Sequence, residues 1–435
     1  MSEKSEPNDF GRKRQSSIYI TGLSGTMPGV PIDVNALEAK AEQAMTPEAF
    51  AYIAGGAGME RTMAANRDSF ERLQIVPRML RDVSHKDTSV TLFGRKIPSP
   101  ILLAPIGVLE MAHPDADLAV ARAAADELVP MIFSNQASHC MEECSHVMGS
   151  APRWFQLYWS KSNELVESLV TRAEKSGCEA IVVTLDTTML GWRVRDLDLA
   201  YLPFLRGKGI AQYVTDPVFR ELLQRAAEDT ARGEEVQGSR KINLATIKVL
   251  VELMQHYPDD WRSKLTSGEP LAAVQQFINI YSRPSLTWED LSFLRERTSL
   301  PIILKGIQHP DDARQAVEHG IDGIVVSNHG GRQVDGAIGS FDALEDIVAA
   351  VGDSDLTILF DSGIRTGADI FKAIAVGADA VLLGRPWVYG LAVGGEDGVR
   401  EVLKNFKADF ELTMGLAGCK DVSEITTETL RPRKR

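Results

Sequence analysis

From residue 97 onward the sequence repeats one pattern, in which a short apolar run is followed by a segment long enough for a helix. The runs are rich in Ile, Val, Leu and Phe, which is typical of strands buried on both faces of a parallel sheet. Alternating strands and helices predict a parallel sheet, and eight such units predict its closure into a (β/α)8 or TIM barrel. A doubly wound open sheet is the alternative. The eight runs cover residues 97–105, 130–135, 153–158, 180–186, 301–307, 323–330, 357–363 and 380–386.

The segments between these runs carry residues that are typical of helix boundaries. Residues 309–320, for example, begin with a Pro-Asp-Asp sequence and end at Gly320. Proline and acidic residues favour the first turn of a helix, and glycine is common just past its last turn. We therefore expect helices within residues 113–128, 216–229, 285–299, 309–320 and 365–378.

Two long segments fall outside the repeat. A (β/α)8 barrel needs about 250 residues, whereas this chain has 435. Residues 1–96 precede the first run and include a helix-like stretch at 36–45, and residues 187–284 separate the fourth run from the fifth. Loops of such length are uncommon unless they act as lids. We expect an N-terminal extension with helices at 1–96 and a barrel domain at 97–430, in which the insertion 187–284 is a candidate active-site lid.

Composition excludes several classes of protein. Charged residues at 25% and hydrophobic residues at 44% are typical of a soluble globular chain. No apolar run approaches the ~18 residues of a membrane span, and the polar N-terminus lacks the apolar core of a secretory signal. The net charge of −13 argues against a general nucleic-acid binder. The sequence therefore predicts a cytoplasmic protein that binds neither membranes nor nucleic acid.

The cysteines predict neither disulfides nor a metal site. Four cysteines in a chain of this length fit a reducing compartment. His139, Cys140, Cys144 and His146 lie close together in the sequence, but their spacing matches no zinc-binding pattern.

Polar and charged residues stand at the end of nearly every predicted strand. In a (β/α)8 barrel the carboxyl ends of the strands form the active-site rim. We therefore expect these residues to converge on one site: Ser134, Gln156, Tyr158, Thr184, Asp186, Lys305, Ser327, His329, Asp361 and Arg385.

The sequence NHGGR after the sixth strand is the sharpest catalytic candidate. His329 can accept a proton near neutral pH. Arg332 offers a planar fork for a substrate carboxylate, and Arg193, shortly after the fourth strand, could supply a second contact. Asp186 could orient His329 and stabilise its protonated form.

The turns after the last two strands predict a phosphate site, because these loops commonly bind phosphate in such barrels. Their small residues let backbone N–H groups approach a phosphate, and arginine can bind it with two hydrogen bonds. The residues concerned are Asp361, Ser362, Gly363 and Arg365 after the seventh strand, and Gly384 and Arg385 after the eighth.

Across about residues 30 to 430, the chain resembles the flavin-dependent L-2-hydroxy acid oxidase and dehydrogenase family. The sequences FQLYWSK, VVTLDT, ILKGI, SNHGGRQ, FDSGIRTGAD and LLGRP are similar to its motifs in order and spacing. Within the family, APIGV, LGWRVRDL, LPFLRGKG and YVTDPVF look like the sequences of the lactate 2-monooxygenases.

The resemblance implies FMN as the cofactor and gives roles to individual residues. His329 would be the base, paired with Asp186, and Arg193 and Arg332 would hold the substrate carboxylate. Tyr52 and Tyr158 would contact the substrate. The phosphate would lie on the two turns named above, and the remaining flavin contacts would come from Pro105, Ile106, Gly107, Ser134, Gln156, Thr184, Lys305 and Ser327.

The reaction implied is oxidation of an L-2-hydroxy acid, foremost lactate, with O2. If the 2-oxo acid stays bound, peroxide decarboxylates it and lactate gives acetate, CO2 and water. If it leaves first, the products are pyruvate and H2O2, as in a simple oxidase. A dehydrogenase, a phosphate-binding barrel related to IMP dehydrogenase and an inactive barrel are further alternatives. The family suggests a homotetramer or a larger homo-oligomer.

Overall fold

The computed structural model describes residues 9–232, 244–258 and 268–434. Eight parallel strands form a closed barrel, in which the last of the eight along the chain, Ala380–Leu383, pairs with the first, Ile101–Leu103. The predicted (β/α)8 fold is therefore confirmed, and each predicted run contains one strand. The barrel strands are β4 (Ile101–Leu103), β5 (Met131–Phe133), β6 (Arg153–Leu157), β7 (Ile181–Thr184), β8 (Ile302–Ile307), β9 (Gly323–Val326), β10 (Thr357–Phe360) and β11 (Ala380–Leu383).

Helices follow the strands around the barrel. Because neighbouring residues of a strand point to opposite faces, Ile132 and Val182 join the cluster that fills the barrel, whereas Phe133 and Val183 pack against the outer helices. The helices that surround the barrel, apart from those of the N-terminal segment and the insertion, are α5 (Ala116–Asp126), α6 (Met141–Met148), α7 (Asn163–Lys175), α13 (Leu291–Arg295), α14 (Pro310–Glu318), α15 (Ser340–Val351), α16 (Gly367–Val376) and α17 (Arg385–Leu416).

One predicted helix is shorter than expected. Residues 285–299 form only a 3₁₀ turn at Trp288–Asp290 followed by α13. The Thr287 hydroxyl and the Asp290 carboxylate form a capping box that starts the turn later than predicted.

The amino-terminal end of the barrel is closed by a hairpin of β2 (Val90–Leu92) and β3 (Arg95–Ile97). Phe93, at its tip, packs edge-on against Trp154 with ring centroids 5.6 Å apart. A side chain at Gly323 would meet the Phe93 ring, since a Cβ there would lie 3.1 Å from it. Because this hairpin covers the amino-terminal end of the barrel, the open rim is formed by the carboxyl ends of the strands.

The N-terminal segment packs over the barrel and is fastened to the C-terminal segment. Strand β1 (Leu73–Ile75) pairs antiparallel with β12 (Leu430–Pro432). The Arg14 guanidinium binds the Glu401 carboxylate on α17 at 2.5 Å. The helices of this segment are α1 (Phe10–Gly22), α2 (Val34–Ala44), α3 (Pro47–Ala54) and α4 (Arg61–Asp68), followed by a 3₁₀ turn at Ser69–Arg72.

The insertion between β7 and β8 is largely helical in its described parts. Its helix Pro217–Arg232 agrees with the prediction for residues 216–229. None of the helices within the described ranges combines the length and apolarity that a bilayer span requires. The insertion contains α8 (Val194–Asp198), a 3₁₀ turn (Pro203–Arg206), α9 (Ala211–Val214), α10 (Pro217–Arg232), α11 (Leu244–His256) and α12 (Glu269–Ile280).

Candidate active site

A cavity of about 300 Å³ lies at the open rim of the barrel. Most of the side chains predicted from the strand ends, together with Tyr52 from α3, converge on it. The predicted residues that line it are Tyr52, Pro105, Ile106, Gly107, Tyr158, Arg193, Lys305, His329, Arg332, Asp361, Ser362, Gly363, Arg365, Gly384 and Arg385.

Five predicted residues do not line the cavity: Asp186, which is half-buried and contacts His329, and the buried residues Ser134, Gln156, Thr184 and Ser327. Gln156 Nε2 and Thr184 Oγ1 have no hydrogen-bond partner within the part of the chain that the structure describes. A buried polar atom without a partner costs about 1–3 kcal/mol. These two atoms therefore suit a polar ligand.

His329 and Asp186 form the central polar pair of the site. His329 Nδ1 lies 2.8 Å from Asp186 Oδ1, and the Thr187 hydroxyl donates to the same oxygen at 3.0 Å. His329 has a φ of 59°, in the left-handed region that a non-glycine residue rarely adopts. Gly330 and Gly331 follow with φ of 66° and 75°, so the NHGGR turn needs its glycines.

Burial and the neighbouring charges determine the protonation states of His329 and Asp186. Burial works to raise the pKa of Asp186, but the charges of His329 and Lys305 outweigh it and lower the pKa to about 2. Burial lowers the pKa of His329 below its usual 6.5, although Asp186 opposes the shift. At neutral pH, His329 therefore donates its Nδ1 proton to Asp186, which leaves Nε2 free to accept a proton.

Lys305 is held in place by Asp361 and Ser327, and Ser362 in turn binds Asp361. Its Nζ lies 3.0 Å from Asp361 Oδ2 and donates to the Ser327 hydroxyl at 2.8 Å. The Ser362 hydroxyl binds Asp361 and accepts the backbone N–H of Gly330 at 2.9 Å. Burial works to lower the pKa of Lys305, but Asp361 and Asp186 outweigh it and raise the pKa. Lys305 is thus a fixed cation.

Arg193 and Arg332 approach the ring of Tyr52. Their Cζ atoms lie 6.0 Å and 5.2 Å from the ring centroid. Arg332 also donates to the carbonyls of Tyr52 and Gly55 at the end of α3, at 2.5 and 3.0 Å. Burial and the nearby charge of Arg193 lower the pKa of Arg332 to about 9. Two cations at one wall favour a small anion there.

Arg365 and Arg385 form a second cationic group at the ends of β10 and β11. Arg385 binds the carbonyls of Ile53, Gly55 and Gly330 at 3.0 to 3.1 Å. Burial and Arg385 lower the pKa of Arg365 to about 10. Within the described ranges, none of the four arginines at the cavity pairs with a carboxylate. The rim therefore offers two places for anions.

The insertion, expected from the sequence as a candidate lid, contributes a wall of the cavity whose individual residues sequence reasoning did not identify. Phe204 packs edge-on against Tyr52, with ring centroids 6.4 Å apart, and Phe277 packs against Phe204 at 5.3 Å. Helical periodicity shows which face of a helix is apolar, but it does not show what that face covers. The insertion residues in this wall are Leu190, Leu202, Phe204, Phe277, Ile278 and Tyr281.

The histidine and cysteine cluster of α6 gives no sign of a metal site. His139 Nδ1 instead contacts the Glu143 carboxylate at 3.1 Å. Nowhere in the described chain do three or more His, Cys, Asp or Glu side chains form a group that could hold a metal ion. The absence of a bound metal stays a prediction.

A (β/α)8 barrel with two cationic groups and a histidine–aspartate pair at its rim is typical of the class of barrel enzymes that bind a phosphate-bearing cofactor beside a small anionic substrate. The FMN-dependent dehydrogenase family model matches residues 41–432. The chain belongs to this family.

Relatives of known name agree with this membership. The chain is 42% identical to the FMN-dependent alpha-hydroxy acid dehydrogenase qulF of Penicillium citrinum, over 98% of this chain and 96% of that protein. It is 41% identical to the L-lactate oxidase of Lysinibacillus sphaericus, over 92% of each. A crystal structure of mandelate oxidase with (S)-4-hydroxymandelic acid matches with a TM-score of 0.74 at 36% identity, over 93% of this chain and 99% of that one. The enzyme is thus an FMN-dependent oxidoreductase of 2-hydroxy acids.

The residues present fit FMN. Arg365 and Arg385 lack carboxylate partners among the described residues and suit its phosphate. A Cβ at Gly384 would meet nothing within 4 Å, so the backbone there is open to a ligand. The unpaired atoms of Gln156 and Thr184 and the fixed cation Lys305 suit the polar edge of a flavin ring.

Proposed function

We propose that the enzyme oxidises L-lactate and decarboxylates the 2-oxo acid before releasing it, so that L-lactate and O2 give acetate, CO2 and water. The observation that carries this proposal is the wall that the insertion builds over the cavity. A 2-oxo acid enclosed by that wall meets peroxide before it can leave.

The residues of the cavity have distinct roles in this proposal. Arg193 and Arg332 bind the substrate carboxylate with charge-assisted hydrogen bonds. Burial raises the pKa values of Tyr52 and Tyr158, so both phenols stay protonated and can donate to substrate oxygens. His329 Nε2 accepts a proton from the substrate, and Asp186 stabilises the imidazolium that forms.

FMN, when bound, accepts the two electrons of the oxidation and returns them to O2. Arg365, Arg385 and the turn at Asp361, Ser362 and Gly363 would hold its phosphate. Lys305 would place a positive charge at the ring, where it offsets negative charge that develops during the oxidation.

Charged contacts fasten the insertion over the cavity. Glu110 follows β4, directly after the loop Pro105–Gly107 that lines the cavity. Its carboxylate binds Lys208 Nζ at 3.0 Å and His256 Nε2 at 2.5 Å, both from the insertion. We call Glu110, Lys208 and His256 the lid latch. A closed lid delays product release, as lids do in many enzymes.

Product analysis in the presence of catalase tests the proposal. Catalase destroys free H2O2 and so prevents decarboxylation of pyruvate in solution. We expect the holoenzyme in air to form one acetate per O2 consumed, with or without catalase. A variant with a shortened insertion is expected to release pyruvate and H2O2. An unchanged acetate yield from that variant would contradict the role of the lid.

A simple oxidase is the second candidate, because a similar protein is named an L-lactate oxidase. It would release pyruvate and H2O2, and with catalase pyruvate would accumulate while net O2 consumption falls by half. A dehydrogenase would instead need an added acceptor. An inactive barrel would leave its flavin oxidised when L-lactate is added without air.

We further propose a cytoplasmic homo-oligomer, a tetramer or larger, which the family resemblance and the composition support. Light scattering on the eluted holoenzyme tests the oligomeric state, and fractionation of the source cells tests the location.

A further inference from the structure

We propose that Asn66, on α4 of the N-terminal segment, is a positioning residue that holds the His329 turn through a reciprocal side-chain amide pair with Asn328. The proposal rests on His329 being the base. It adds that a residue of the N-terminal segment, outside the barrel, helps to position the turn that carries His329.

The amide pair is complete in both directions. Asn66 Nδ2 donates to Asn328 Oδ1 at 2.8 Å, and Asn328 Nδ2 donates to Asn66 Oδ1 at 2.6 Å. Both residues are buried, at 2% and 5% exposed. Neither lines the cavity. The pair therefore has no direct part in binding a ligand there.

Each amide oxygen of the pair also holds a backbone group. Asn328 Oδ1 accepts the N–H of Gly331 at 3.0 Å, which closes the turn that contains His329. Asn66 Oδ1 accepts the N–H of Ser340 at 3.0 Å. If Asn66 is lost, Asn328 loses both hydrogen bonds of the amide pair in a buried place. It then keeps only its bonds to the N–H of Gly331 and, from Nδ2, to the carbonyl of Ile338 at 3.2 Å.

The turn needs such support because its backbone is strained. His329, Gly330 and Gly331 all have positive φ, and only the two glycines adopt such values without cost. Strained backbone persists where surrounding contacts over-determine it. The bond from Asn328 Oδ1 to the N–H of Gly331 is such a contact, and Asn66 fixes its geometry.

Helix α4 also reaches the expected phosphate turn. A Cβ at Gly363 would lie 2.6 Å from the carbonyl oxygen of Asn66. The Arg67 guanidinium donates to the carbonyl of Gly363 and pairs with Asp369 at 3.0 Å. One helix outside the barrel thus contacts the turns that carry His329 and the phosphate site.

Anaerobic stopped-flow reduction of the bound flavin by L-lactate tests the proposal in the holoenzyme. We expect Asn66→Ala to lower the limiting reduction rate at least tenfold, while its affinity for pyruvate, measured by flavin absorbance, changes less than threefold. FMN content and melting temperature are measured on the same samples. Ser69→Ala is the matched control, because Ser69 is buried one turn further along and donates to Asn66 O, but does not touch Asn328.

Two further variants separate positioning from folding. Asn66→Asp can still accept from Asn328 and Ser340 but cannot donate, so we expect a reduction rate between those of the wild type and Asn66→Ala. The double variant Asn66→Ala/Asn328→Ala should be no slower than the slower single variant, since the residues act as one unit.

Three results would overturn the proposal: a wild-type reduction rate in Asn66→Ala, a loss equal to that in Ser69→Ala, or additive losses in the double variant. His329→Gln is measured alongside. If it reduces flavin at the wild-type rate, the role of His329 as base fails, and that failure is distinct from the failure of Asn66 to affect the rate.

Discussion

Lys305 and Asp361 form a buried ion pair that spans a strand of the barrel. Lys305 lies within β8 and Asp361 directly follows β10. These two strands are not neighbours, because β9 lies between them. Their side chains nevertheless meet at 3.0 Å, and both are under 10% exposed. The pair therefore crosses beneath the NHGGR turn that follows β9.

Replacing Lys305 is expected to destabilise the enzyme as well as slow it. Lys305→Met leaves the Asp361 charge buried without a partner, which costs about 3–5 kcal/mol of unfolding free energy. Lys305→Met/Asp361→Asn should recover much of that stability but not the rate of flavin reduction. Urea unfolding and stopped-flow reduction measure the two effects. Equal stability of the single and double variants would contradict this account of the pair.

His329→Gln should keep FMN but lose flavin reduction by L-lactate. General-base catalysis contributes about 10²–10⁴-fold, and glutamine at this position cannot accept the proton. His319→Gln is the control, because His319 lies on the outer helices and not at the cavity. Anaerobic bleaching of the flavin absorbance by L-lactate is the measurement, and rapid bleaching in His329→Gln would exclude its role as base.

The pH dependence of kcat/KM should report the His329–Asp186 pair. The base must be neutral, and burial holds the pKa of His329 below 6.5. Activity of the wild type should therefore fall only as pH drops below that value. Asp186→Asn removes an interaction that raises this pKa, so the acid limb should move to lower pH while the maximal rate falls. An acid limb that moves to higher pH would contradict the assignment.

Arg332→Lys should raise KM for L-lactate at least tenfold with a smaller change in kcat. Lysine keeps the charge but lacks the planar fork that binds a carboxylate with two hydrogen bonds. The control is Arg195→Lys, since Arg195 pairs with Glu60 and does not line the cavity. Steady-state kinetics measures KM for L-lactate in both variants. A KM in Arg332→Lys equal to that in Arg195→Lys would argue against carboxylate binding by Arg332.

The lid latch should make product retention depend on pH. Burial works to lower the pKa of His256, but Glu110 outweighs it and raises the pKa above 6.5. Burial works to raise the pKa of Glu110, but His256 and Lys208 lower it below 4.5. The raised histidine pKa gives stability that is lost as pH rises through it. The lowered glutamate pKa gives stability that is lost as pH falls through it. The latch is thus strongest between about pH 4.5 and 6.5.

We therefore expect the ratio of pyruvate to acetate to rise as pH increases above 6.5. Glu110→Gln should release more pyruvate at pH 6 and show little of this dependence. Glu401→Gln, which loses its pair with Arg14 far from the insertion, should behave as the wild type does. A pH-independent product ratio in the wild type would argue against the latch.

The barrel strands and the residues at the rim of the barrel could be predicted, because both follow from short stretches of sequence. Each buried strand reads as an apolar run, and the residue after it must lie on the rim, so Lys305 and His329 could be placed together from the sequence. Tyr52 was expected only through the family resemblance, because nothing in residues 36–58 shows that α3 reaches the cavity.

The contacts between distant segments were not predictable. Phe204 and Phe277 read as ordinary apolar residues of the insertion, and their approach to Tyr52 depends on how the helices fold back. Asn66 and Asn328 are separated by more than half of the chain, and no spacing rule links two asparagines. Such pairings are set by tertiary packing.

The pairing of β1 with β12 has a consequence for the order in which this enzyme is made. Residues 73–75 are synthesised more than 350 residues before their partners at 430–432. This attachment of the N-terminal segment therefore cannot form until residues 430–432 have been made. All eight barrel strands, which end at Leu383, are synthesised before that point, so the barrel can close before this strand pair forms.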